Sequence, residues 1–98
     1  MITAGALQHK IQNSEDFLLI DVREEFENEH FNIGGKLMPM GTVLSNINNI
    51  PKDKEVIFYC EKGIRSSIVI QRLQEKFGYT NLINLSGGMQ AWRREILE

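Results

Sequence analysis

The chain is 98 residues long, 24% of them charged, with a formal net charge of −2; residues 1–98 are expected to form one domain around one core, and the mild acidity argues against nucleic acid as a partner. One Cys and two His rule out an internal disulfide and leave too few ligands for a structural zinc. No apolar run is long enough to span a bilayer and the N-terminal MITAGALQHKIQ lacks the order of a leader peptide, so the expected setting is reducing and cytoplasmic, with no membrane partner.

Residues 1–3 offer an edge strand and residues 4–12 a short helix. FLLID (17–21) is a continuous aliphatic run, the pattern of a strand covered on both faces. An acidic helix is expected at 24–30, a short strand at 36–39 (KLMP) and a helix at 41–49. EVIFYC (55–60) is a second buried strand. In SSIVIQRLQEKF (66–77), Val69, Ile70, Leu73 and Phe77 recur at helical spacing. Ser66 or Ser67 is the expected cap, Lys76 lies near the negative end and Gly78 supplies the stop. NLINL (81–85) is the last strand. Gly87 and Gly88 let it turn tightly into a helix over 87–98, on which Met89, Trp92 and Ile96 share a core-facing side. Strands alternating with helices imply an α/β fold, a small parallel sheet of four to five strands flanked by helices on both faces.

Ligands of such sheets bind beyond the carboxyl ends of the strands, which directs attention to Asp21–Val22–Arg23 and to Cys60. In YCEKGIRSS (59–67) a buried strand ends at Cys60, a Gly-containing turn follows and a helix begins. Gly63 can take a positive φ and let the loop curl. A tight loop feeding a helix N-terminus turns backbone N–H groups inward as a nest for negative charge, and a sulfur at its centre is favoured as thiolate. A lone Cys at a strand end can also be a small core hydrophobe; the order of strand, Cys, Gly turn, Arg and helix is what favours a reactive thiol. Cys60 is therefore the candidate nucleophile, and Glu61, Lys62, Gly63, Ile64, Arg65 and Ser66 form the candidate substrate-binding loop.

Cys60-Glu61-Lys62-Gly63-Ile64-Arg65-Ser66 resembles the active-site loop of the rhodanese (sulfurtransferase) family, C-x-x-G-x-R-S/T. LLIDVREEFE (18–27) resembles the family's aliphatic–Asp–Val–Arg–Glu segment, His30 with Gly34 and Gly35 its Gly-His-Ile-x-Gly-Ala stretch, and LSGGMQAW (85–92) its closing Leu-x-Gly-Gly-x-x-x-Trp. The likeness covers roughly residues 16–93. The chain departs from the pattern at Glu29, where Gly is usual, and at Phe31–Lys36, which replaces a shorter segment.

The resemblance implies a sulfurtransferase: Cys60 takes a sulfane sulfur from a small anionic donor such as thiosulfate as a persulfide, then passes it to a thiol, a protein thiol or cyanide, with no metal and no organic cofactor. Phosphatases of the same fold family carry one more residue between Cys and Arg than the four found here, because three peripheral phosphoryl oxygens need a wider ring than one sulfur atom. A persulfide carrier serving a protein partner is the alternative, ahead of a Cys-dependent phosphatase. Among the side chains, Lys62 and Arg65 are expected to draw in an anionic donor while Glu61 opposes it, and Arg65 can instead brace the loop against a carboxylate. Ser66 is expected chiefly as a helix cap, Asp21 with Arg23 as a structural charge pair, His30 as a capping or packing residue, and the acidic stretch from Asp21 to Glu29, with Glu24, Glu25, Glu27 and Glu29, as a solvated face rather than a docking surface. An open, shallow pocket on a monomer is expected.

Overall fold

A computed structural model describes residues 1–98. Helix α1 (Ala4–Gln12) is capped by Thr3, whose side-chain oxygen accepts from the Ala6 N–H at 3.1 Å. Strand β1 (Phe17–Asp21), helix α2 (Glu25–His30), strand β2 (Lys36–Leu37), strand β3 (Glu55–Tyr59), helix α3 (Ile64–Phe77), strand β4 (Leu82–Asn84) and helix α4 (Gly88–Trp92) follow in order. The four strands pair in parallel in the order β2-β1-β3-β4. The two long aliphatic runs hold the centre, as continuous apolar patterning requires.

Successive residues of those strands feed opposite faces. Ile20, Val22, Val56 and Phe58 join Val69, Ile70 and Leu73 of α3 in one apolar cluster. Leu19, Ile57 and Tyr59 join Leu7 of α1 and Met89 and Trp92 of α4 in the other. Helices thus cover both sides of the sheet, as expected for an α/β fold. No helix is long and apolar enough to cross a membrane.

Several expectations are corrected in detail. The edge strand at 1–3 reduces to a single bridge between Ile2 and Leu85. Residues 41–49 form two 3₁₀ segments, Met40–Thr42 and Leu44–Asn49, interrupted at Asn46 (φ −108°, ψ 19°); side chains in this Ser/Asn-rich stretch bond to nearby carbonyls and compete with α-helical pairing. The C-terminal helix widens after Trp92 into a π-turn over Arg93–Leu97. Helix α3 starts at Ile64, with Gly63 in the left-handed region (φ 90°) as its N-cap. Neither Ser66 nor Ser67 caps it. Gly78 (φ 70°) ends it as the sequence indicates.

Candidate active site

Cys60 follows the last residue of β3 and is 1% exposed. The positive φ of Gly63 bends the chain back on itself, so that the Gly63 N–H points at Cys60 Sγ at 3.1 Å and the Ser66 N–H at 3.4 Å. Those two amides belong to the turn and to the first turn of a 14-residue helix, whose positive end faces the sulfur. Ser66 Oγ lies 3.3 Å from Sγ. The sulfur borders a cavity of about 330 Å³ lined by Glu27, Cys60, Glu61, Lys62, Ile64 and Arg65. A larger groove, about 590 Å³, lies near the amino end of β1 beside Lys10, Phe17 and Leu19 and holds no nucleophilic thiol. Chemistry, not size, picks out the cavity at Cys60.

Of the seven loop residues singled out from sequence, five line this cavity; Gly63 and Ser66 are buried behind it and supply its amides. Lys62 and Ile64 are exposed, and Lys62 pairs with no carboxylate. Arg65 is not free: its two terminal nitrogens donate to the two oxygens of Glu27, each at 2.8 Å. The Arg65 guanidinium holds the Glu27 carboxyl down to about 2, against 4.5 unperturbed, and Glu27 in turn pushes Arg65 upward. Arg65 therefore braces α3 against α2. Glu61, expected to repel an anion, has its charge answered by Arg93 and by Arg23 at 3.5 Å. Ser66, expected as a cap, instead turns its hydroxyl inward to donate to Asn84 Oδ1 at 2.6 Å.

The Asp21–Arg23 pair is structural, as expected. Asp21 and Arg23 are both essentially buried. Arg23 Nε and a terminal nitrogen bond the carboxylate at 3.0 and 2.9 Å, and the same nitrogen donates to the Phe31 carbonyl at 2.6 Å. The guanidinium lies 5.5 Å from the centre of the Tyr59 ring. Burial, with the nearby Asp21 charge, pushes the Tyr59 phenol up to about 12, so it stays protonated and donates to the Gly34 carbonyl at 3.0 Å. His30 is exposed, its side chain makes no hydrogen bond, and it stands as the basic residue in the last turn of α2. The acidic stretch is solvated at Glu24, Glu25 and Glu29, but not at Glu27.

What the sequence reading missed is the support of the loop: Asn84 and Gln90 went unread, and Gly88 and Met89 were read only as a turn and a core residue. Asn84 Nδ2 donates to the Gly63 carbonyl at 3.1 Å. The Met89 and Gln90 N–H groups bond the Cys60 and Glu61 carbonyls, each at 2.9 Å. Gly88 (φ +58°) sits so close beneath the loop that a Cβ would lie 2.7 Å from the Glu61 carbonyl carbon. One signal was present for Asn84: an amide set among the aliphatic residues of NLINL needs partners wherever it is withdrawn from water.

Parallel strands, a cysteine at a strand's carboxyl end and inward amides opening a helix define the class: an α/β protein whose single cysteine sulfur is cupped by loop amides. Comparison with known proteins narrows the class. The chain matches the Rhodanese-like domain over residues 3–95 and belongs to that family. It is 38% identical to a putative sulfurtransferase of Bacillus subtilis, over 96% of this chain and 90% of that one. It is 35% identical to a sulfurtransferase of Allochromatium vinosum, over 95% and 87%. The crystal structure of a rhodanese-like domain protein from Staphylococcus aureus superposes with a TM-score of 0.83 at 33% identity, covering 93% of this chain and 88% of that one.

Proposed function

We propose that this protein is a sulfurtransferase that carries sulfur as a Cys60 persulfide. The observation behind this is the Cys60 sulfur beneath the Gly63 and Ser66 amides at the edge of a small cavity. Those donors are placed to stabilise negative charge on sulfur without reorganising. In the first step the Cys60 thiolate attacks the outer sulfur of thiosulfate. A new S–S bond forms to Cys60, the S–S bond of thiosulfate breaks, and its electron pair leaves with sulfite. In the second step an acceptor thiolate or cyanide attacks the outer sulfur, and the Cys60 thiolate is the leaving group. Neither step needs a metal.

The family relatives named as sulfurtransferases support this reading. Against phosphoryl transfer stand the four-residue spacing from Cys60 to Arg65 and the engagement of both Arg65 terminal nitrogens by Glu27. A carrier role toward a protein acceptor is favoured by one feature. Ile64 on the cavity wall is 63% exposed, and Phe26, beside Glu27 of that wall, is 72% exposed, giving apolar surface that a protein thiol donor or acceptor could cover.

Whole-protein mass spectrometry after incubation with thiosulfate tests the activity. The expected result is one added sulfur atom on the wild type, removed by cyanide or a thiol, and none on Cys60→Ala. No added sulfur, or equal addition to Cys60→Ala, would overturn the proposal.

A further inference from the structure

Ser66 has one hydroxyl hydrogen and two neighbours able to take it. Asn84 Oδ1 is 2.6 Å from Ser66 Oγ, and Cys60 Sγ is 3.3 Å away. The orientation of the Asn84 amide is fixed by its other end: Nδ2 lies 3.1 Å from the Gly63 carbonyl, which can only accept. Turning the amide over would set oxygen against oxygen there. Oδ1 therefore faces Ser66, and being an acceptor only, it draws the hydroxyl hydrogen away from the sulfur. Ser66 then presents a lone pair to Cys60. That lone pair suits a thiol, which can donate S–H to it, and opposes a thiolate or a persulfide anion.

We infer that Asn84 is a positioning residue that sets the direction of the Ser66 hydroxyl and, through it, restrains the ionisation of Cys60. This rests on the reading of Cys60 as the nucleophile. The inference assigns Ser66 a fixed part: its hydrogen stays on the Asn84 carbonyl oxygen, so it accepts from the resting thiol and offers the thiolate no donor. Asn84 acts twice on the same loop, since its Nδ2 also holds the Gly63 carbonyl and so the turn that aims the Gly63 amide at sulfur. The ionisable groups lining the Cys60 cavity are Glu61 and Lys62 of the loop, Arg65 of α3 and Glu27 of α2, with Arg23 and Arg93 paired to Glu61 behind them; β4 contributes only the neutral Asn84, and none of the variants below alters these charges.

The test is the pH midpoint of Cys60 ionisation, read from the ultraviolet absorbance of the thiolate; the chain has a single Cys, so the signal has one source. Freed from Asn84, the Ser66 hydroxyl can donate to the thiolate. Asn84→Ala, with Asn84→Leu as a variant of closer volume, is expected to lower the midpoint by about one pH unit. In a Ser66→Ala background the same Asn84 substitution is expected to move it by less than about a third of that. A midpoint that stays or rises in Asn84→Ala overturns the inference. So does an equal fall with and without Ser66, which would place the effect in wider access of water to the sulfur rather than in the hydroxyl. If neither Asn84 variant folds, Ser66→Ala decides alone: its midpoint falls if Oγ serves the thiol as acceptor, and a rise or no change overturns the inference. The measurement uses no sulfur donor, so its outcome is separate from that of the sulfur-loading experiment.

Discussion

Glu27 and Arg65 are 38 residues apart in sequence and meet through two parallel hydrogen bonds of 2.8 Å. Such a two-pronged pair is the most favourable geometry for an ion pair near the surface, though partial exposure of both side chains limits its worth to about 1 kcal/mol. The pH dependence follows from the depressed Glu27 carboxyl. Because its folded value is about 2 against 4.5 unperturbed, the contribution is complete above about 4.5 and is lost as the pH falls toward 2. Glu27→Gln is therefore expected to lower the melting temperature at neutral pH and to melt with the wild type near pH 2. Thermal melts of both proteins at the two pH values check this, and a gap of equal size at both would contradict it.

At the scale of elements, the β4–α4 corner acts as a bed for the Cys60 loop. Gly88 cannot carry a side chain there: its φ is +58°, and a Cβ would press on the Glu61 carbonyl carbon at 2.7 Å. Gly88→Ala is expected to cost about 1–3 kcal/mol and to slow sulfur loading about tenfold or more by displacing the sulfur from its amides. Gly5, which has open space around it, serves as the control, and Gly5→Ala should leave loading unchanged. Stability from urea titration and loading rates from mass spectrometry give both numbers. The elements legible in the sequence were those specified locally. Strands β1 and β3, the stop of α3 at Gly78 and the double-glycine corner all follow from short-range pattern and backbone freedom. Asn84, Arg93 and the Glu27 partnership were not, because each depends on a contact between segments far apart in the chain. Ser66 misled for a related reason: hydroxyl residues at a helix start normally cap it, but here the left-handed Gly63 starts the helix three residues earlier and carries Ser66 into the first turn, facing the sulfur.

At the scale of the whole molecule, one four-stranded sheet separates two apolar clusters. Leu7 belongs to one and Ile70 to the other. Leu7→Ala should cost about 2–5 kcal/mol and Ile70→Val about 0.5–1.5 kcal/mol. The double variant should cost their sum to within about 0.5 kcal/mol, since the two sites lie in separate clusters on opposite faces of the sheet. Urea unfolding of the three variants measures this, and a coupling beyond about 1 kcal/mol would show that the faces respond as one. Around the sulfur, three arginine–carboxylate pairs (Asp21 with Arg23, Glu27 with Arg65, Glu61 with Arg93) clasp the carboxyl edge of the sheet. Lys62 and Ile64 take no part in that clasp. Retargeting by protein engineering can begin at these two positions: exchanging them repaints the entrance for a different donor while the frame that grips the reactive atom stays as built.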